Sequence, residues 1–406
     1  MATLADPPAG ADAPEAFRQE VRGWLDANFP KSLKGVDNSM SAIEGPSDPS
    51  PDEEAWRKAM GDKGWGVPTW PKEYGGGGLS RAEARVLQEE LARAGATNPI
   101  GGMGVMMFGP TLLEYGSEAQ KREHIPAIAR GEVRWCQGYS EPGAGSDLAS
   151  LQAFAEDRGD HYVVNGQKTW TSGGQWADKC FAIVRTDKIR KHEGITFVLI
   201  DMNDPGVEVR PIRLISGQSP FCETFFTDVK VPKTDRVGEE GQGWTIGKRL
   251  LQHERNSLSG GGSAASRLFS GVPLGKLAKK FRGEDADGRV ADQDLRMRIV
   301  RHEMDVRAFA LTLRRAALEA KSNQGPSAAT SIMKNVGARI TQDRAELAME
   351  IRGMRGLGWD GEGFAEDELA ATRGWLFGKA VSIYGGSSEI QNNVIAKRIL
   401  GMLDHQ

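Results

Sequence analysis

Cysteine is scarce: only Cys136, Cys180 and Cys222 occur in 406 residues, and no two form a Cys-x-x-Cys pair. An odd, widely spaced set supports neither a disulfide framework nor a cysteine zinc site, and a chain of this length can bury a core without cross-links. A reducing, cytoplasmic setting is therefore expected. Long apolar runs are missing too. No stretch approaches the roughly 20 residues that span a bilayer, and the opening MATLADPPAGADAPEAF has neither the basic start nor the apolar centre of an export signal, so no membrane span is expected. There is no excess of positive charge either: 52 Lys and Arg against 55 Asp and Glu leave a formal net charge of −3, which argues against nucleic acid as a partner. In WPKEYGGGGLS, 70–80, four consecutive glycines have no apolar strand before them and no Lys-Ser/Thr after them. A flexible turn is expected there rather than a phosphate loop.

What is present falls into three zones. The first third carries short helical periods, with Phe17, Val21, Trp24 and Leu25 on one face, and SPDE (50–53) and SRAE (80–83) as helix starts in which a serine is followed three residues later by glutamate. From about Trp135 the period changes to two. HYVV, Asn165-Gly166 and QKTWTS predict a hairpin, and CFAIV, GITFVLI and VEVRPI predict further strands. After GEEGQGW (238–244) long helical periods return at about 245–268, 291–322, 327–352 and 376–402, with a polar, glycine-rich break at 353–368. KLAKKFRGEDADGR, 276–289, is basic and then acidic and is expected to be a linker or surface loop. The expected fold is a multidomain α+β chain: an N-terminal helical domain (1–130), a middle β domain of barrel-like form (131–240) and a C-terminal four-helix bundle (241–406).

The most informative stretch is QGYSEPGAGSDLAS, 137–150, followed by KTWTSGG, 168–174. A loop of glycine and small hydroxyls can bring backbone amides and the Ser140 and Ser146 side chains close to a planar or phosphorylated ligand. Trp170, Thr171 and Ser172 can wall a flat ring and donate hydrogen bonds to it.

With LLEYGSEAQKREHIPAIARGE, SEPGAGSD, NGQKTWTSGG, LLQHER and IYGGSSEIQ in this order from about residue 14 to about 403, the chain resembles the acyl-CoA dehydrogenase family. The resemblance implies FAD as cofactor, an acyl-CoA as substrate, α,β-dehydrogenation to the trans-2-enoyl-CoA, and an electron-transferring flavoprotein as electron acceptor. It implies that Gln137, Tyr139 and Ser140 lie along the flavin, that Gly145 and Ser146 approach flavin or the thioester, and that Trp170, Thr171 and Ser172 flank the ring. It places Ser387 and Glu389 near the phosphate and ribose of FAD. Glu389 departs from the pattern, since a carboxylate beside a pyrophosphate must turn away or pair with a cation. A second departure is LAKKFRGEDADGRV, where relatives commonly carry Arg-x-Thr-Phe-Gly to grip FAD of a neighbouring subunit. Both a homo-oligomer and an α2β2 hetero-oligomer stay open, as do two alternative functions: a partner subunit with an incomplete site, and a flavin oxidase of the same fold.

In VSIYGGSSEIQ, 381–391, Gly385 stands where many relatives carry the catalytic glutamate. Other members place it on the first bundle helix before an arginine, and this chain has His253-Glu254-Arg255. The resemblance thus assigns the base to Glu254, with Arg255 fixing that segment or contacting substrate.

Overall fold

The computed structural model describes residues 12–36, 48–259, 272–321 and 330–403. Helix α1 (Asp12–Asn28) buries Val21 and Leu25 on the face that the periodicity predicts. Helices α2 (Pro51–Asp62) and α3 (Arg81–Ala94) start at Ser50 and Ser80. In each, the serine hydroxyl accepts from the glutamate N–H three residues on, and that glutamate accepts from the serine N–H. Helix α4 (Gly109–Tyr115) leads to α5 (Glu118–Ala129), which starts with a further such box, Ser117 with Gln120, that the sequence reading did not single out. Of the four glycines before α3, the middle two pack closely rather than loosely. A Cβ on Gly77 would meet the Pro68 carbonyl oxygen at 2.7 Å, and one on Gly76 would strike the Trp70 carbonyl.

The middle of the chain is one eight-stranded sheet in the order β6-β7-β3-β2-β4-β5-β8, with β1 parallel to β4 off that path. The strands are β1 (Trp135–Gly138), β2 (Phe154–Asp157), β3 (His161–Ser172), β4 (Lys179–Arg185), β5 (Ile195–Asp201), β6 (Val207–Ile212), β7 (Phe221–Pro232) and β8 (Arg236–Val237). The expected hairpin at Asn165-Gly166 is corrected: β3 runs through it as one strand, and its register against β7 shifts between Val164 and Gly166. The dipeptide's tolerance of positive φ serves a bulge instead, with Gly166 at φ 149°. Across the strands Asn165 Nδ2 donates to Asp228 Oδ1 at 2.9 Å, and the Asp228 N–H donates back to Asn165 Oδ1 at 2.9 Å. The reversal lies earlier, at Gly159 (φ 92°), and joins β2 to β3.

The C-terminal region is helical: α6 (Gly243–Ser259), α7 (Leu274–Arg282), α8 (Gln293–Lys321), α9 (Thr330–Arg352), α10 (Glu366–Phe377) and the short α11 (Ser388–Val394). Two expectations fail. The stretch read as a linker contains α7, which buries Leu274, Leu277 and Ala278. The last long helix is broken by a 3-10 turn over Gly378–Ser382 and by left-handed Gly385 and Gly386, while α10 begins inside the stretch read as a break. The expected helix at 245–268 is described only as far as Ser259.

Contacts divide the chain into two units, residues 1–212 with 219–254, and residues 213–218 with 255–406. In the first, one core joins Trp70, Phe108, Leu112 and Ile125 of the N-terminal helices to Phe181, Phe197 and Leu199 of the sheet and to Ile246 and Leu250 of α6. In the second, Leu277, Leu295, Ile299, Leu347 and Ile351 form one cluster and Val306, Phe309 and Ile340 another.

Glu90 ties α1 to α3. Its buried carboxylate takes Arg18 Nη1 at 2.7 Å, Arg22 Nε at 2.8 Å and Arg93 Nε at 2.5 Å. The Arg22 hydrogen bond, joined by those of Arg18 and Arg93, pulls its pKa down to about 2 against the cost of burial. A carboxyl lowered on folding stabilises the fold above its unfolded pKa, and that contribution is lost as pH falls through the folded value. Glu90→Gln should therefore lower the melting temperature at pH 7, and the gap to the parent should close as both are titrated from about pH 4.5 toward pH 2. Equal melting temperatures at pH 7 would remove Glu90 from the account.

Candidate active site

The loop after β1 is held from beneath by two buried cations. Lys168 on β3 is fully buried. Its Nζ donates to Glu141 Oε1 at 2.8 Å, to the Ile183 carbonyl at 2.8 Å and to the Tyr139 carbonyl at 3.2 Å. Glu141 also accepts from the N–H groups of Gln152 at 2.6 Å and Ala153 at 2.9 Å, so both of its oxygens are occupied. Burial lowers the Lys168 pKa, with Glu141 acting in the opposite direction. Arg185 on β4 donates to the carbonyls of Leu151 at 2.8 Å and Ala149 at 2.6 Å, and reaches those of Asp187, Arg190 and Lys191. Glu141 and Ala144 exchange backbone hydrogen bonds of 3.0 Å, closing the turn between them. Gly145 and Ser146 are exposed at the tip, and a Cβ on Gly145 would meet nothing within 4 Å.

The same lysine joins this loop to the second motif. The Thr169 N–H donates to the Ser140 carbonyl at 2.8 Å, so Gln137–Ser140 and Trp170–Ser172 lie side by side. The β3 register shifts again between Lys168 and Thr171, and at that irregularity Trp170 takes φ 60° and turns outward, 55% exposed. A left-handed tryptophan inside a strand is strained backbone that the surroundings must hold, and such strain concentrates at functional sites. Gln137 Nε2 is buried without a hydrogen-bond partner. An outward aromatic wall, an unpartnered amide donor and an open glycine tip suit a flat heteroaromatic ring with polar edges.

The other sequence candidates are placed as follows. Tyr139 packs in the first unit's core, edge-on to Phe181 at 6.2 Å and to Phe197 at 6.4 Å. Thr171 is buried, its hydroxyl 3.1 Å from that of Thr224, so its side chain serves the sheet. Ser172 is half-buried at the end of β3. Glu254 and Arg255 ride on α6, but their side chains lie outside the described residues. Ile246 and Leu250, fully buried, precede Glu254 at steps of four on that helix. Gly247 lies two turns before it on the same face, where a Cβ would stand 3.5 Å from the Tyr139 oxygen. In the second unit Ser387 caps α11, and the exposed Glu389 carboxyl is lowered by its own backbone N–H and by Ser387. Lys334 on α9 donates to the carbonyls of Val381 at 2.7 Å and Gly386 at 3.2 Å, fixing the turn that contains Gly385. Lys168, Glu141 and Arg185 were missed. The signal for Lys168 and Arg185 was a charged residue at an inward strand position, and for Glu141 a carboxylate inside the glycine-rich loop.

Family models match almost the whole chain: the acyl-CoA dehydrogenase N-terminal domain over residues 11–132, the middle domain over 136–229 and the C-terminal domain over 241–400. Acyl-CoA dehydrogenase IpdE1 of Mycolicibacterium smegmatis is 36% identical over 96% of this chain and 97% of its own length. The chain belongs to the acyl-CoA dehydrogenase family. Glutaryl-CoA dehydrogenase of Desulfococcus multivorans is 33% identical over 87% of this chain and 89% of its own length. Among solved structures, the ChsE4–ChsE5 complex from Mycobacterium tuberculosis matches with a TM-score of 0.74 at 30% identity, covering 100% of both chains. The Tcur3481–Tcur3483 steroid acyl-CoA dehydrogenase matches with a TM-score of 0.75 at 28% identity, also covering 100% of both chains. As an acyl-CoA dehydrogenase, this chain is a FAD-dependent oxidoreductase acting on the CH–CH group of an acyl-CoA. Among the described residues no helix is long and apolar enough to cross a membrane, and no cluster of side chains could hold a metal ion.

Breaking the buried pair strands a charge. Lys168→Met should lower unfolding free energy by about 3–5 kcal/mol, and the purified variant should carry less FAD per chain than the parent. Urea melts and the 450 nm absorbance read both; unchanged values would make the lysine dispensable.

Proposed function

We propose that this acyl-CoA dehydrogenase converts an acyl-CoA to its trans-2-enoyl-CoA with Glu254 as base, and passes the electrons to an electron-transferring flavoprotein. The observation that carries the reading is the outward, strained Trp170 beside the stapled 137–146 loop. Trp170 and Ser172 would flank the flavin, Gln137 Nε2 would donate to its edge, and the main chain of Tyr139, Ser140 and Thr171 would line it. Gly145 and Ser146 would meet the thioester side. Ser387 would lie toward the ribose and phosphate, with Glu389 turned back on its own helix and Arg255 toward substrate. FAD, when bound, supplies the acceptor for the hydride that leaves the β carbon. Glu254 takes the α proton, which it can do near neutral pH because an apolar acyl chain beside a carboxylate raises its pKa. Gly385, at the motif position where many relatives carry a glutamate, has no side chain that could take that role. The domain limits at 130 and 240 belong to the same proposal.

Glu254→Gln keeps size and most hydrogen bonds but removes basicity. FAD content and thioester binding should survive while flavin reduction slows by about 10²–10⁴. A variant reduced as fast as the parent would overturn the assignment.

Assembly is part of the reading. Helix α8 buries Leu295, Ile299, Val306 and Phe309 on one face, yet on the opposite face Met297, Met304, Leu311 and Leu318 recur every seven residues and are 47–65% exposed. A helix apolar on two opposite sides suits burial from both, and the occupant we infer is a second subunit of the same fold, identical or not. The two-chain ChsE4–ChsE5 complex among the structural relatives supports this. Met304→Glu with Leu311→Glu should lower the mass measured by light scattering; an unchanged mass would show that this face stays open.

A further inference from the structure

Two of the sequence motifs meet in the first unit although 135 residues separate them. Glu114, in LLEYGSEAQ, ends the short α4, while Arg249 and His253 lie one turn apart on α6, the second of them in LLQHER. Arg249 grips the Glu114 carboxylate with both prongs, Nε to Oε2 at 2.7 Å and Nη2 to Oε1 at 2.7 Å. His253 Nε2 stands 3.1 Å from the same Oε1, and Arg249 Nη1 also donates to Gln252 at 3.0 Å. Arg249 holds the Glu114 carboxyl below the usual range, and burial lowers the His253 imidazole. The carboxylate is thus ionised at neutral pH, and His253 Nε2 lies close to it without a hydrogen bond.

Ile246 and Leu250 hold the inner face of α6 by apolar packing, which has no directional bond of its own. The two-pronged grip of Arg249 on the Glu114 carboxylate supplies one, because a bidentate pair is directional. The residue after His253 is Glu254. We propose that Glu114 is a positioning residue for the dehydrogenation: through Arg249 it sets the rotation and height of the α6 turn that carries the base. This rests on Glu254 being that base.

The test compares Glu114→Ala, Glu114→Gln, Glu254→Gln and the double variant Glu114→Ala/Glu254→Gln in the FAD-loaded protein. Anaerobic stopped-flow absorbance follows flavin reduction by butyryl-, octanoyl- and palmitoyl-CoA and a steroid side-chain CoA thioester, and amide hydrogen exchange follows residues 250–258. Misplacing a reacting group by about 1 Å costs up to about 10²-fold. Glu114→Ala should therefore reduce its flavin about 10- to 100-fold more slowly at saturating thioester, with half-saturation moved less than about threefold and FAD content unchanged. Exchange in that turn should quicken. Glu114→Gln, which keeps the shape, should lose less, and the double variant should lose nothing beyond Glu254→Gln. The proposal is overturned if Glu114→Ala keeps the parent rate while Glu254→Gln collapses, if losses multiply in the double variant, or if rate falls only in step with FAD content. If Glu254→Gln itself keeps the parent rate, the base assignment fails first and this proposal with it.

Discussion

The pairing of Lys168 with Glu141 is the constraint on which the site depends. An ammonium and a carboxylate buried together are costly unless every remaining donor and acceptor is used, and here they are: two carbonyls complete the lysine and two backbone N–H groups complete the glutamate. Each of these bonds ends on a different part of the site. Tyr139 precedes the glycine-rich loop, Gln152 and Ala153 follow it, and Ile183 belongs to β4. One buried pair therefore fixes where a loop with little side-chain packing of its own must lie. It also fixes β3 at the point where the strand shifts register, which is where Trp170 is turned outward.

The chain's first unit carries most of the residues proposed for the chemistry. The loop and the start of α6 share a core with the N-terminal helices, and α6 is clamped to α4 by Glu114. The second unit is of another character. Of the large apolar side chains exposed among the described residues, all but Val36, Trp170 and Ile189 fall there. A surface of that composition fits a helical region completed by a neighbour.

How much of this was legible differs by interaction range. Capping boxes, strand alternation and the order of helices, sheet and helices depend on residues a few positions apart, and Ser50, Ser80, Val21 and the strands β4, β5 and β6 lie where the pattern placed them, whereas β7 and β8 were not singled out. Asn165-Gly166 was misread because a dipeptide that permits positive φ does not say whether the chain reverses or bulges; Asp228, on another strand, decides it. Helix α7 was hidden because Leu274, Leu277 and Ala278 are few among lysines. The break near 378–387 was hidden because its flanks are both helical. The motif glycines and Trp170 could be read as a ligand loop, but which partners Lys168, Glu141 and Glu114 find is decided 11 to 135 residues away, and no local pattern names those partners.

The central claim is that the buried pair and the strained strand exist to present Trp170 to a flavin. Its most direct measurement is a fluorescence titration of flavin-free protein with FAD, in the parent and in Trp170→Ala. The account predicts saturable quenching of tryptophan emission in the parent, and in the variant a smaller quench with weaker binding. Equal affinity and equal quenching in both proteins would contradict it.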